Sequence, residues 1–130
     1  MTNAVIFDMG NTLMNFVRPG TGSWREFEEP GLRGVYSYLV EQGHPIQSHE
    51  DDFVAAMFAR LAEGWQQSTG GQISMRAADW ITAAAAEHAL ALDEAALLEA
   101  TRRYARPMRE GIAASAGAAA TLAELRARGY

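Results

Sequence analysis

Residues 4–13 read AVIFDMGNTL, and this stretch determines which fold the chain is expected to have. Its first four residues, Ala4 to Phe7, are continuously apolar and rich in β-branched and aromatic side chains. Such a run is typical of a strand that is covered on both faces in a parallel sheet. Ligands of these sheets bind beyond the carboxyl ends of the strands, and Asp8 lies at that end. The pattern predicts a strand over 4–8 that ends in a carboxylate beside a binding site.

The residues after Asp8 favour a sharp turn. Gly10 and Asn11 both tolerate unusual backbone angles, so backbone N–H groups of the loop can point at an anion such as a phosphate. Asp, Gly and Asn are also common turn formers. On these residues alone, a simple turn capped by Asp8 remains an equal alternative.

The stretch VIFDMGNTL, residues 5–13, resembles the first motif of the haloacid dehalogenase superfamily. That motif has an apolar strand, a nucleophilic Asp, a variable residue, a second Asp in most members, and then Gly-Thr-Leu. The positions that match it are Asp8, Thr12 and Leu13. Two positions depart from it, because Gly10 replaces the second Asp of most phosphatases and Asn11 replaces the usual Gly.

The resemblance implies a role for each residue of this motif. Asp8 is the expected catalytic nucleophile, and the expected phosphate-binding loop consists of Met9, Gly10, Asn11 and Thr12. The implied cofactor is Mg²⁺, with the Asp8 carboxylate and the Gly10 backbone carbonyl as ligands. Gly10 cannot supply the carboxylic acid that protonates a leaving oxygen, which contributes about 10² to 10⁴ in rate.

The rest of the chain predicts a helical insertion followed by a return to the core. We expect the first core strand and the motif loop in 1–16, a helical cap like that of the family in 17–106, and a core helix within 107–130. The fold class implied is α/β, a Rossmannoid parallel sheet like that of the haloacid dehalogenases, with an α-helical cap. The chain by itself is expected to be mostly α with one N-terminal core strand.

Capping residues and helix breakers predict where the cap helices begin and end. An early helical proline predicts that the first helix opens at Glu29-Pro30, and Gly43 is a stop signal. The expected N-caps of the next three helices are Ser48, Ser74 and Asp93. We expect Pro107 to end this run of helices.

The last amphipathic segment, 117–128, resembles the core helix that precedes the second parallel strand of the family, and Gly129 fits a helix end. In the family, later segments carry a phosphate-holding Ser or Thr, a Lys and a further acidic pair. None of these segments is present in the 130 residues. We therefore expect a fragment, a truncated product or half of an assembly, inactive alone, whose strand 4–8 is completed by segments beyond Tyr130 or by self-association.

Three function classes stay open for the intact protein. The first is a Mg²⁺-dependent phosphatase of a small phosphorylated metabolite, which forms an aspartyl phosphate on Asp8. The second is a 2-haloacid dehalogenase, in which Asp8 displaces halide without a metal and no proton is needed on the leaving group. The third is a non-catalytic relative.

Side chains of the predicted cap are further candidates for contact with a substrate. Arg18 and Arg25 lie in the loop that enters the cap, where either guanidinium could pair with a substrate anion; solvent exposure is the alternative for both. The three tryptophans, Trp24, Trp65 and Trp80, are expected to pack within the cap rather than to stack on a substrate, with Trp24 a partial exception. His88 is expected to be partly buried.

Composition excludes several other classes. The chain has 130 residues, of which 48% are hydrophobic and 21% charged, a balance typical of a soluble globular protein. Its net charge is −5 and it has no Lys, so we expect no nucleic-acid partner. No apolar stretch reaches the roughly 18 residues of a membrane helix, and the N-terminus lacks the pattern of a signal peptide. Together with the absence of Cys, this favours a cytoplasmic protein with a small-molecule substrate and no membrane partner.

Overall fold

The computed structural model describes residues 4–16, 23–71 and 76–130. In these ranges the chain has two short strands and five helices, in the order β1 Met14–Phe16, α1 Trp24–Glu41, α2 Glu50–Gly70, α3 Ala77–Glu87, α4 Glu94–Glu110, β2 Ile112–Ala114 and α5 Ala118–Ala127. The prediction that this chain alone is mostly α is confirmed. By its internal contacts the chain divides into two units, a strand-containing unit of Met1–Thr21 with Arg109–Tyr130, and a helical unit of Gly22–Met108.

The core of the helical unit follows from the spacing of apolar residues along its helices. On α1, Leu32, Val35 and Leu39 recur at the helical period and are fully buried. Large and fully buried side chains in the same core are Phe53 and Met57 of α2 and Ile81 of α3. Burial of each such side chain stabilises the fold by roughly 1.5–3 kcal/mol.

Helix α1 begins earlier than predicted, because both capping and packing extend it. Its N-cap is Ser23, whose Oγ accepts a hydrogen bond from the Glu26 N–H at 3.3 Å, so the predicted start at Glu29-Pro30 is wrong. Pro30 lies inside the helix. The side chain of Phe27, upstream of the proline, is buried, and this burial offsets the missing proline donor.

The predicted N-cap of α2 and the predicted C-terminal end of α4 are also wrong. The N-cap of α2 is His49 rather than Ser48; the Ser48 Oγ lies instead 3.5 Å from the His88 Nδ1. Helix α4 continues through Pro107 to Glu110, because the half-buried Met108 still packs against the core. The predicted cap at Ser74 lies outside the described residues.

Two predicted boundaries of the helical unit are confirmed. The Asp93 Oδ1 accepts a hydrogen bond from the Ala96 N–H at 2.8 Å at the start of α4. Helix α1 ends before Gly43, which has a φ of +76° that a residue with a side chain rarely adopts.

In the strand-containing unit, the predicted strand over 4–8 is not formed. Residues 4–8 have no regular secondary structure; the Ile6 side chain is 94% exposed. The first strand of this unit is instead β1, which follows the Asp8 loop and pairs antiparallel with β2 in the register Met14↔Ala114 and Phe16↔Ile112. The physical reason is pairing, since no described segment forms a ladder with 4–8 and a lone strand leaves its N–H and C=O groups without partners.

A helix within 117–128 is confirmed, whereas its predicted place in a core stays a prediction. Helix α5 spans Ala118–Ala127, with Gly117 before it and Gly129 after it at φ values of +81° and +86°. None of its residues is buried. Among the described residues, no helix combines the length and the apolar composition that crossing a bilayer requires.

Candidate functional site

The residues after Asp8 form a loop that folds back onto the start of β1. The Met9 carbonyl accepts hydrogen bonds from the N–H groups of Leu13 and Met14, both at 3.1 Å. The Asn11 N–H donates to the Met14 carbonyl at 2.7 Å. Three main-chain bonds therefore close the loop within six residues and fix its shape.

The backbone of this loop explains the residue at its tip. Asn11 has a φ of +58°, in the left-handed region that disfavours most side chains but is several-fold enriched in Asn. Asn11 can therefore occupy a position where the resembled motif has Gly. The sequence predicted a turn here, and the structure contains one.

The predicted site residues of this loop are accessible to solvent. Asp8, Asn11 and Thr12 are exposed, and Met9 is 61% exposed. These side chains lie close together because the residues are neighbours in the sequence. Among the described residues, none forms an ion pair with Asp8. A ligand can therefore reach the Asp8 carboxylate.

Gly10 is the point at which the loop departs from the resembled motif, and its surroundings are open. A Cβ added at Gly10 would meet no heavy atom within 4 Å. The bonds that close the loop use the carbonyls of Met9 and Met14, and the Gly10 carbonyl is not among these acceptors. This position therefore accepts a side chain sterically.

Asp8 and Gly10 offer the type of donor atom that Mg²⁺ prefers. The Asp8 carboxylate and the Gly10 carbonyl are oxygen ligands, and Mg²⁺ is commonly held by one or two carboxylates together with waters and substrate phosphate oxygens. Among residues 4–16, 23–71 and 76–130 there is no cluster of three or more His, Cys, Asp or Glu side chains that could hold a metal. These two oxygens would thus form part of a coordination shell.

Ser115 is attached to this loop, and sequence reasoning missed it. Its N–H donates to the Leu13 carbonyl at 2.9 Å, directly after β2. Its Oγ is buried and has no hydrogen-bond partner among the described atoms. No signal in the sequence would have found it, because a single Ser within an Ala-rich and Gly-rich segment has no periodic pattern.

Of the two arginines predicted as anion ligands, Arg25 is among the described residues, and it lies in helix α1 rather than in the predicted loop. The Arg25 side chain lies in the helical unit, where its Nε is 3.8 Å from the Glu29 Oε2 and its guanidinium lies 5.2 Å from the centre of the Phe58 ring. Arg18 lies outside the described residues. Both remain predictions as substrate ligands.

The helical unit contains a second candidate site, a cavity of about 430 Å³. The described residues that line it are Trp24, Glu28, Phe58, Leu61, Ala62 and Trp65. Trp24 and Trp65 are 67% and 54% exposed, although both side chains are large and apolar. For Trp65 the prediction of packing within the cap is therefore incomplete, whereas Trp24 was predicted to be a partial exception.

Glu28 is the ionisable residue that lines this cavity. Its side chain is only 6% exposed, and its Oε2 accepts a hydrogen bond of 2.5 Å from the hydroxyl of Tyr104 on α4. Burial raises the pKa of the Glu28 carboxyl, and the bond from Tyr104 partly opposes this change. The pKa of the Tyr104 hydroxyl is raised by its burial and by this same bond.

Sequence reasoning missed Glu28, although a signal was present. Glu28 precedes Leu32, Val35 and Leu39 by four, seven and eleven residues, which places it on the same buried face of α1. A helix that starts at Glu29, as predicted, leaves Glu28 outside this stripe. An acid on an apolar stripe is the pattern that would have indicated a buried carboxyl.

Two other predictions about the cap agree with the structure. Trp80 is 5% exposed and packs edge-on against Tyr104, with ring centres 4.8 Å apart. His88 is half-buried and lies against Phe53, with ring centres 4.9 Å apart. Trp80 belongs to the core of the helical unit, and His88 contacts that core through Phe53.

Comparisons of this chain with protein-family models, with curated proteins and with solved structures found no match. The function is therefore inferred from the Asp8 loop and from the cavity beside Glu28. Each of these two sites lies within a single unit of the chain.

Proposed function

We propose that Asp8 is the catalytic nucleophile of a hydrolase related to the haloacid dehalogenases. In the intact protein, the reaction is the Mg²⁺-dependent hydrolysis of a small phosphorylated metabolite. One observation carries the proposal: an exposed carboxylate stands immediately before a loop closed by its own main-chain bonds, with Asn11 in the left-handed region at the tip.

The chemistry follows from the position of the carboxylate. An Asp8 oxygen attacks the phosphorus atom, the bond between phosphorus and the leaving oxygen breaks, and an aspartyl phosphate results. Water then attacks this phosphorus, releasing inorganic phosphate and restoring the carboxylate. The N–H groups of Gly10 and Thr12 are not among those that close the loop, so we assign to them the binding of phosphate oxygens.

A carboxylate and a phosphate dianion repel each other, and this repulsion has to be neutralised before attack. The Asp8 carboxylate and the Gly10 carbonyl are the residues that would hold Mg²⁺. The bound ion would supply positive charge between the two anions. The other residues of this loop keep the Asp8 carboxylate accessible and hold the loop in a fixed shape.

The glycine at position 10 limits which substrates are turned over quickly. Without a carboxylic acid there, a leaving alkoxide receives no proton from this loop, so phosphate esters with acidic leaving groups are favoured. The same observation favours a second candidate, a 2-haloacid dehalogenase, because halide leaves without a proton. In that reaction Asp8 displaces the halide and forms an ester with the substrate carbon.

The topology of the strand-containing unit supports a helical cap inserted after the motif. Pairing of β1 with β2 brings the two ends of the intervening segment beside each other, so the helices between Phe16 and Ile112 form an insertion. We propose that residues 4–8 join a Rossmannoid sheet completed by other segments of the intact protein or by a second copy. Without that completion, the third candidate, a non-catalytic relative, applies.

The test uses the intact protein and two variants, Asp8→Asn and Gly10→Asp. Each is assayed for release of product from an alkyl phosphate, an aryl phosphate and 2-chloropropionate, with and without a metal chelator. Asp8→Asn is expected to abolish turnover, because an amide is a poor nucleophile and carries no charge. Gly10→Asp is expected to accelerate the alkyl phosphate more than the aryl phosphate, by up to about 10²-fold.

The outcomes separate the three candidates. Chelator-sensitive, Asp8-dependent phosphate release supports the phosphatase. Halide release that needs Asp8 and survives the chelator replaces it with the dehalogenase, for which Gly10→Asp brings no gain. Turnover of all substrates that is unaffected by Asp8→Asn, or no turnover of any of them, contradicts the proposed role of Asp8.

A further inference from the structure

The cavity of the helical unit has the size and lining of a small-molecule site. Its volume of about 430 Å³ lies within the range of roughly 300–1,000 Å³ that is usual for ligand pockets. Five of its six described lining residues are apolar, and three of these are aromatic. Trp24 and Trp65 present apolar surface to solvent at this cavity, and a bound ligand would cover it.

The charge of the lining indicates which occupant fits. Glu28 is the one ionisable group among the described residues that line the cavity, and the whole chain carries a formal charge of −5. An anionic ligand would be repelled by Glu28. A neutral apolar ligand would gain no electrostatic attraction from this carboxyl.

We propose that this cavity binds an organic ammonium ion with an aromatic or apolar body. The ammonium group donates hydrogen bonds to the Glu28 carboxylate, and the indole faces of Trp24 and Trp65 attract the cation and cover the apolar body. The Phe58 ring of the same cavity is already paired with a cation, since the Arg25 guanidinium lies 5.2 Å from its centre, so the ammonium is assigned to the side of the cavity formed by Glu28 and the two tryptophans. A ligand of this class is distinct from the phosphorylated substrate of Asp8, and its binding requires no catalysis.

Tyr104 prepares the carboxyl for this ligand. Its hydroxyl holds the Glu28 Oε2 at 2.5 Å, which fixes the orientation of the carboxyl group before a ligand arrives. The Glu28 pKa is raised by burial in the absence of a cation, and an adjacent ammonium favours the ionised form. An ammonium ligand therefore supplies the positive charge that opposes the effect of burial on this carboxyl.

The experiment measures binding of three matched probes to the full chain by isothermal titration calorimetry. The probes are 2-phenylethylammonium, the neutral 2-phenylethanol and the anionic phenylacetate. We expect the ammonium to bind at least tenfold more tightly than the alcohol, and the anion not to bind. Glu28→Gln is expected to remove this preference while keeping an acceptor for Tyr104, and the control Glu63→Gln, an exposed acid on α2, is expected to leave it unchanged.

A second variant keeps the proposal testable if Glu28→Gln does not fold. Trp24 is 67% exposed, so Trp24→Ala should preserve the core, as checked by circular dichroism, and should weaken binding of 2-phenylethylammonium at least tenfold. Equal affinity for the ammonium and the alcohol, or no binding of any probe, would overturn the proposal. A dimer by sedimentation that Trp65→Ala dissociates would also overturn it, because the occupant would then be a second copy of the chain.

Discussion

Replacing Tyr104 with Phe should destabilise the helical unit by about 1–3 kcal/mol, the cost of leaving a buried polar group without its hydrogen bond. The Tyr104 hydroxyl is a donor to the Glu28 Oε2 at 2.5 Å, and the two side chains are 7% and 6% exposed. Water therefore does not readily replace the lost donor. The ring itself is retained, so its edge-on packing against Trp80 should persist.

The assay is urea denaturation of the wild-type chain and the variant, followed by circular dichroism. Tyr36→Phe is the matched control, because the Tyr36 hydroxyl makes only a long bond of 3.4 Å to the Ser48 carbonyl from a half-buried position. We expect that control to change the free energy of unfolding by less than about 0.5 kcal/mol, as for most substitutions away from a buried network. Equal losses in the two variants would refute the special role of the bond between Tyr104 and Glu28.

The loss should also depend on pH. The pKa of Glu28 is raised above 4.5 in the folded chain, so the folded state binds more protons than the unfolded state above that pH. Stability then falls as the pH rises from about 4.5 through the folded pKa. The bond from Tyr104 lowers the Glu28 pKa, so Tyr104→Phe should make this fall steeper and the loss of stability larger at neutral pH than at pH 4. A loss independent of pH would contradict this account.

Three further substitutions test other parts of the structure by urea denaturation or activity. Gly31→Ala should destabilise the helical unit by roughly 1–3 kcal/mol, because its Cβ would overlap the Tyr104 carbonyl; an unchanged midpoint would contradict the close approach of α1 and α4. Asp93→Ala should cost about 0.5–2 kcal/mol by removing the acceptor for the Ala96 N–H, whereas Asp93→Asn should cost much less. Asn11→Gly should preserve turnover of the intact protein and Asn11→Val should lower it, because a β-branched residue is strained at a φ of +58°; equal activity of both variants would speak against a fixed loop.

Much of the helical unit was predictable, because its apolar residues repeat at the helical period. The stripe that contains Leu32, Val35 and Leu39 indicates α1 directly. Proline positions misled the prediction of both α1 and α4, because the intrinsic cost of a helical proline is offset by packing of neighbouring side chains, which a local pattern does not contain. The segment 4–8 has the composition of a buried strand, yet strand formation depends on partners that lie elsewhere in a sequence or in another chain.

The two candidate sites also differ in whether they depend on local sequence or on distant contacts. The Asp8 loop could be predicted, because its Asp, Gly and Asn residues act locally on the backbone. The cavity beside Glu28 could not be predicted, since it depends on how α1 and α2 pack. The orientation of the Glu28 carboxyl depends in addition on the hydroxyl of Tyr104, which is 76 residues from Glu28 in the sequence.

The most direct test of the central claim is detection of phosphate on Asp8. The intact protein is mixed with an aryl phosphate and Mg²⁺, quenched in acid during turnover, and digested for mass spectrometry of the peptide that contains Asp8. The account predicts a phosphorylated Asp8 in the wild-type protein, absent in Asp8→Asn and lost when turnover ends. Hydrolysis of the ester at the wild-type rate by Asp8→Asn, or turnover with phosphate trapped on a residue other than Asp8, would contradict it.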